Sequence, residues 1–223
     1  MNKLTLVIPA KKESESLPLV MDELQKYNCK KLIVLSKSDI ETINSIKSYN
    51  CEILLQKNEG YGAAIIEGIN KADTEYMCIF NADGSFLPDD LNEMLKISEQ
   101  SFDFVFASRY SLGGKTDDDT IITFIGNKIF TLLGKIFFNL KIDDILYTYV
   151  LGKTDSFRNL KLENLDFRFC VELPVKVKRR EKKYTNFGSS ERKRFKGEKK
   201  VNEFRDGFLI LLELIFMFLF RRK

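Results

Sequence analysis

The chain has 223 residues, 44% hydrophobic and 30% charged, which suits one α/β domain with a short appendage and excludes both wholesale disorder and two independent cores. It contains no histidine, so a Ser-His-Asp hydrolase, a Cys-His enzyme, His-ligated zinc and an imidazole proton shuttle are excluded; chemistry must run on carboxylates, basic groups, hydroxyls or a metal held by oxygen. The net charge of +4 is uneven: residues 176–200 hold twelve Lys/Arg against three Glu, the pattern of a segment that meets phosphate, nucleic acid or an anionic membrane, or of a solvated basic helix face.

In chain order, Leu4 to Pro9, Leu32 to Leu35, Ile53 to Leu55, Tyr76 to Phe80 and Phe102 to Ala107 are short runs rich in Val, Ile, Phe and Leu. They are expected as strands buried on both faces. Between them, Leu17 to Tyr27 places Leu17, Val20, Met21 and Leu24 at helical spacing, and Ala63 to Ala72 forms a second helical stretch. This alternation predicts a mainly parallel, doubly wound sheet. The opening strand has no signal-peptide character, and Cys29, Cys51, Cys78 and Cys170 form no C-x-x-C pair; buried reduced thiols in a cytoplasmic protein are expected.

Beyond Arg109, Ser111 to Asp119 contains Gly113, Gly114 and three successive Asp residues and is expected as a mobile loop. Thr120 to Leu140 is expected as a helix with an apolar stripe of Ile121, Phe124, Ile125, Ile129, Leu132, Leu133, Ile136 and Phe137, and with Lys128 and Lys135 on another side. Such a helix fits either a protein core or a membrane interface. At the end, Phe208 to Phe220 has Glu213 as its only polar member and precedes Arg221, Arg222 and Lys223. At roughly 20 Å it is short of the ~30 Å hydrocarbon core, so a shallow membrane anchor or a dimer helix is expected. The division is then a domain over residues 1–203 and a hydrophobic helix over 204–223.

Four places can carry chemistry. In Asn81-Ala82-Asp83-Gly84-Ser85, after a buried strand, alternate residues share a face if the chain stays extended, and three oxygens can meet a hard cation. An Asx-turn at Asp83-Gly84 explains the same residues. Asn58-Glu59-Gly60-Tyr61-Gly62-Ala63-Ala64 lets backbone approach an anionic ligand at a helix start, but a dinucleotide fingerprint belongs after the first strand, where Ala10-Lys11-Lys12-Glu13 stands. An NAD enzyme is therefore not expected. Ser108-Arg109-Tyr110 and the basic residues Arg192, Arg194, Lys199 and Lys200 suit phosphate oxygens. Phe187, Phe195 and Phe204 are too sparse for a base-stacking platform, and no nucleic-acid motif is present, so no nucleic acid partner is expected.

Taken together, VIPAKKE at Val7 to Glu13, NEGYGAAIIEG at Asn58 to Gly68, FNADGSFLPDDL at Phe80 to Leu91, ASRY at Ala107 to Tyr110, Glu172-Leu173 and ERKRFKGEKKV at Glu191 to Val201 resemble family 2 glycosyltransferases of the GT-A fold. More narrowly, they resemble the dolichyl-phosphate mannosyltransferase branch that glycosylates polyprenyl phosphates. The resemblance implies that Pro9, Ala10 and Glu13, with Gly60, Gly62 and Ala82, border the nucleotide sugar. It implies that Asp83 with Asn81 and Ser85 holds Mg²⁺ or Mn²⁺ and the diphosphate, and that Arg109, Arg194 and Lys199 or Lys200 face phosphates. The family's Asp-Asp pair after the second strand is replaced by Ser36-Lys37-Ser38-Asp39, its Tyr-Asn-Glu by Lys11-Lys12-Glu13, and its Asp-x-Asp by Asn81-Ala82-Asp83. With one metal carboxylate instead of two, weaker metal binding is expected.

The expected activity is metal-assisted, inverting transfer of a sugar from a nucleotide-diphosphate sugar to a polyprenyl phosphate, by a protein peripheral on the cytoplasmic face of the membrane. An acceptor phosphate is already anionic and needs no general base, which agrees with the absent histidine. The rivals are transfer to a hydroxyl of a lipid-linked or surface glycan, with Asp143 or Asp144 as first candidates for the base, and a non-catalytic nucleotide-binding relative.

Overall fold

Continuous apolar runs become the centre of one seven-stranded sheet. The computed structural model describes residues 1–197 and 200–220. In order, the chain forms β1 (Leu4–Ala10), α1 (Leu17–Leu24), β2 (Lys30–Leu35), α2 (Ile40–Ser45), β3 (Glu52–Leu55), α3 (Tyr61–Lys71), β4 (Tyr76–Ile79), α4 (Asp90–Glu99) and β5 (Phe104–Ser108). There follow β6 (Lys115–Thr116), α5 (Ile121–Phe138), β7 (Val150–Lys153), α6 (Thr154–Asn159), α7 (Phe169–Arg179), β8 (Tyr184–Gly188), β9 (Ser190–Glu191) and α8 (Glu203–Phe220). The sheet order is β3-β2-β1-β4-β7-β5-β8. All pairs in it are parallel except those of β7, which runs antiparallel between β4 and β5.

The expectation of strands buried on both faces holds for β4 and β5, whose residues are all buried. It fails for β3, where Glu52 and Leu55 are exposed, because an edge strand has one neighbour and less cover. One apolar cluster packs α1 and α4 on one face, and a second packs α3, α7 and α8 on the other. Cys29, Cys78 and Cys170 are buried and Cys51 half-buried, all as free thiols.

The segment 111–119 is not a free loop. Its β6 pairs with β9, the Asp117 amide donates to the Glu191 carbonyl at 2.9 Å, and Asp119 takes both the Arg109 guanidinium and the Tyr110 hydroxyl. Counting residues in sequence could not show that its acids meet buried cations. The basic stretch is likewise divided rather than gathered. Lys176 is buried against Glu172 and Glu163, while Arg192 pairs with Glu23.

Helix α5 departs from the core reading. It buries Asn127, Thr131 and Gly134 and exposes Ile121, Ile122, Phe124, Ile125, Ile129, Leu132 and Ile136, the reverse of a core helix. Thr131 accepts from the Ile145 amide at 3.2 Å, Asn127 donates to the Tyr110 hydroxyl at 3.2 Å, and Gly134 admits the Ile145 side chain. The side docked on the domain is thus small and hydrogen-bonding. Helix α8 starts at Glu203 and lies against α5, with Phe218 stacked on Phe137 at 4.6 Å. It buries Ile210, Leu214 and Met217 and leaves Phe204, Phe208, Leu212, Ile215, Leu219 and Phe220 exposed. Arg221, Arg222 and Lys223 lie outside the described residues.

Candidate active site

Parallel strands that end together leave their following loops on one side of the sheet, and in open α/β sheets that side is where ligands bind. Here the loops after β1, β2, β3 and β4 border a cleft of about 1120 Å³, closed on the other side by Arg109, Asp118, Arg194 and Lys200 and by the start of α8. Of the residues expected to serve a ligand, Pro9, Ala10, Glu13, Gly60, Asn81, Ala82, Asp83, Ser85, Arg109, Arg194 and Lys200 all line it. Lys199 lies outside the described residues.

At Asp83 the turn reading and the ligand reading coincide. Asp83 Oδ1 accepts from the Ser85 amide at 2.9 Å and the Ser85 hydroxyl at 2.7 Å, while Asn81 Nδ2 approaches that hydroxyl at 3.4 Å. Gly84 holds φ +86°, which explains the glycine. The Asx-turn therefore uses Oδ1 and orients the carboxylate, leaving Oδ2 without a hydrogen bond among the described residues. Phe195 clamps the turn, its amide donating to the Asp83 carbonyl at 2.8 Å and its ring lying over Gly84. The clamp brings the neighbouring Arg194 into the cleft, where it pairs with Asp118 at 2.8 Å.

Glu13 is buried, and its carboxyl is pushed up by loss of water, against the opposing pull of the Ser16 hydroxyl and Lys200. Lys200 Nζ stands 3.6 Å from it. Asp39, in the segment that replaces the expected Asp pair, accepts from the Lys12 amide at 2.7 Å and caps α2. It thereby joins the loops after β1 and β2 at the cleft.

Arg109 is 8% exposed and its guanidinium is surrounded by carboxylates: Asp144 at 2.7 and 3.0 Å, Glu191 at 3.1 Å and Asp119 at 3.2 Å. Its plane also lies near the Tyr147 and Tyr110 rings. The arginine expected to face phosphate instead commits its guanidinium to these carboxylates and is the hub that holds β5, β9 and the acidic loop together. Motif reading missed Asp119 and Glu191 as its partners because they come from distant segments.

The two aspartates considered as bases are occupied. Asp144 is clamped by Arg109, and Asp143 takes Lys135 at 2.9 Å and the Ser111 hydroxyl at 2.8 Å; neither lines the cleft. Burial raises Asp143, but Lys135 and Ser111 prevail and hold it below the usual carboxylate range. Glu172 is also away from the cleft. It accepts from the Glu163 and Asn164 amides at 2.9 and 2.8 Å and pairs with Lys176.

Gly62 lies off the cleft as well, pressed on the segment after α6. A Cβ there would stand 2.1 Å from the Asn164 carbonyl oxygen and 2.9 Å from that of Asp166. Gly62→Ala is expected to cost about 2–3 kcal/mol by overpacking, read as a fall in the denaturant midpoint at unchanged slope. Wild-type stability would show that the segment yields freely. Past this contact, Asp166 and Phe167 reach the cleft, with Phe167 stacked on Tyr61 at 5.1 Å. Nothing in the local sequence marks either residue.

Comparison with known proteins places this geometry. The chain is 27% identical over 110 residues to an uncharacterized glycosyltransferase of Mycobacterium tuberculosis, a match covering 49% of this chain and 50% of that protein. It is 29% identical over 122 residues to the undecaprenyl-phosphate 4-deoxy-4-formamido-L-arabinose transferase of Proteus mirabilis, covering 48% and 37%. It is 21% identical over 212 residues to glycosyltransferase AglJ of Haloferax volcanii, covering 94% and 70%. The match thus spans half or less of the first two relatives. Among solved structures, glucosyl-3-phosphoglycerate synthase from Mycobacterium tuberculosis, in complex with Mn²⁺, UDP and glucosyl-3-phosphoglycerate, superposes with TM-score 0.72 at 11% identity, over 96% of this chain and 79% of that one. That likeness establishes the GT-A fold. Residues 5–161 match the family model described as glycosyl transferase family 2, more than half of the chain and through the Asp83 turn, so the chain belongs to that family.

Proposed function

We propose that the protein transfers a hexosyl group from a nucleotide-diphosphate sugar to a polyprenyl phosphate, with inversion, while peripheral on the cytoplasmic face of a membrane. One observation carries this reading: the cleft holding Asp83 and Arg194 extends to Val201, Arg205 and Leu209 at the start of α8, and α8 with α5 exposes a wide apolar surface. A lipid acceptor lying in that surface has its phosphate beside the donor cleft. The Proteus mirabilis relative is named for an undecaprenyl-phosphate acceptor, which agrees.

The oriented carboxylate of Asp83, with its Oδ2 outside the turn, suits a hard divalent cation. Among the described residues no group of three or more Asp, Glu or Cys is arranged to hold a metal ion, so most ligands must come from the donor diphosphate and water. Mg²⁺ or Mn²⁺ held there by Asp83, with Asn81 and Ser85 orienting it, would neutralise the leaving diphosphate. The complex of the solved neighbour with Mn²⁺ and UDP supports this choice. Around the cation, Pro9, Ala10, Glu13, Gly60 and Ala82 would border the nucleotide sugar, while Arg194 and Lys200 would offset phosphate charge; the Arg109 guanidinium is already taken by Asp144, Glu191 and Asp119. With Asp143 and Asp144 both occupied, an acceptor that needs no proton removed suits the cleft better than a hydroxyl.

The test supplies purified protein with Mn²⁺, radiolabelled UDP- and GDP-hexoses and undecaprenyl phosphate, and counts label in the organic phase. Label passing only to water-soluble hydroxyl acceptors would overturn the proposal, and nucleotide binding without transfer to any acceptor would favour a non-catalytic relative.

The apolar face has its own test. By length and composition α5 is apolar enough to cross a bilayer, but its Asn127–Thr131–Gly134 side is docked on the domain, so it is proposed to lie in the interface. Substituting Ile125, Ile129 and Leu132 together with Gln is expected to weaken binding to anionic vesicles by about 3 kcal/mol, on the order of a hundredfold. If wild type leaves the vesicles unbound and sediments as a dimer that the triple variant dissociates, the face belongs to a second copy.

A further inference from the structure

Helix α8 carries one polar side chain between Phe208 and Phe220, and it is turned inward. Glu213 is 7% exposed and accepts from Asn164 Nδ2 at 3.1 Å. A carboxylate on an otherwise apolar helix is costly to bury unless it is hydrogen-bonded, and an aliphatic residue would pack there at less cost. Its partner belongs to the segment that walls the cleft. The Asn164 amide is held by Glu172, the Asn164 carbonyl abuts Gly62, and the next carbonyl, of Leu165, accepts from Ala63 at 2.9 Å. Asp166 and Phe167 then face the ligand space, where Phe167 stacks on Tyr61.

We infer that Glu213 is a positioning residue for the cleft: through Asn164 it fixes the segment 163–167, so the seating of α8 sets the wall that Asp166 and Phe167 present to the donor. The inference rests on the reading of the cleft as a nucleotide-sugar site and adds a coupling between that site and the helix proposed to meet the membrane. Glu172 secures the segment from α7 by its backbone. Glu213 secures it from α8 by a side-chain hydrogen bond, which depends on where α8 lies.

The experiment uses the full chain and three variants, with UDP and GDP in the presence of Mn²⁺ as calorimetric probes and amide hydrogen exchange over residues 163–167 as a second readout. Glu213→Leu should unfold within a few degrees of wild type, because burial of the leucine offsets the hydrogen bond that Asn164 loses. It should nevertheless bind the nucleotide about tenfold more weakly and exchange those amides faster, because Asn164 Nδ2 has lost its acceptor. A purely structural role would lower stability and affinity together. Asn164→Asp sets two carboxylates against each other and should weaken binding similarly. Combining Asn164→Asp with Glu213→Gln restores the contact with donor and acceptor exchanged, and should return affinity to within about twofold of wild type. Unchanged affinity and exchange in Glu213→Leu, or no rescue in the double variant, would overturn the inference. If no protein binds either nucleotide while exchange responds and is rescued as described, the coupling stands and the nucleotide reading of the cleft falls.

Discussion

Asp83→Asn is expected to lower sugar transfer by at least about a hundredfold, close to 3 kcal/mol of transition-state stabilisation, while leaving the fold intact. The separation is possible because the two oxygens of Asp83 have different tasks. Oδ1 closes the turn by accepting from the Ser85 amide and hydroxyl, and the amide oxygen of asparagine can keep both bonds. The negative charge, which the turn does not need, is what a divalent cation requires. Asp83→Ala removes both and should also lose about 1 kcal/mol of stability, since Ser85 is buried and its hydroxyl loses its partner. Steady-state kinetics across a Mn²⁺ titration read the first effect, and thermal unfolding the second. Wild-type turnover by Asp83→Asn at ordinary Mn²⁺ would remove this carboxylate from the mechanism.

A second large effect is expected at Asp144, in stability rather than chemistry. Asp144 is fully buried and holds the Arg109 guanidinium through two bonds. Truncating one member of such a pair costs about 3–5 kcal/mol, because the other charge is left buried. Asp119 and Glu191 still face Arg109 in Asp144→Ala, which places the cost near the lower end, about 3 kcal/mol, or roughly 6–12 °C in Tm for a chain of this size. The segment 111–119 should also exchange its amides faster, since Arg109 is one of the two groups that Asp119 holds. If Asp144 were instead the general base for a hydroxyl acceptor, Asp144→Asn would abolish turnover at unchanged Tm. That outcome would restore the rival reading.

Much of the sheet was legible in the sequence because β1, β2, β4 and β5 are continuous apolar runs, the mark of strands covered on both faces. β7 and β8 were not. Val150–Lys153 is four residues with Gly152 inside it, and Tyr184–Gly188 is half-buried throughout, so neither has the composition of a core strand. Their pairing with distant β5 makes them strands. At the cleft, Glu13, Asp83 and Arg194 could be named because they sit in ordered motifs. Asp118, Asp166 and Phe167 had no such mark, and the partners of Arg109 became visible only when the fold joined their segments.

Helix α5 shows where the division falls. Its periodicity determined that a helix would form with an apolar stripe, since that depends only on residue spacing. Which side would be covered was decided by tertiary structure: Tyr110 and the Ile145 amide provide hydrogen bonds for Asn127 and Thr131, the Ile145 side chain fills the space at Gly134, and the apolar stripe is left outside. Glu213 is the complementary case. As the one polar residue in the apolar run, it stood out in the sequence, but only the packing of α8 against the segment after α6 gave it a partner, because hydrogen bonds of buried groups are set by neighbours in space.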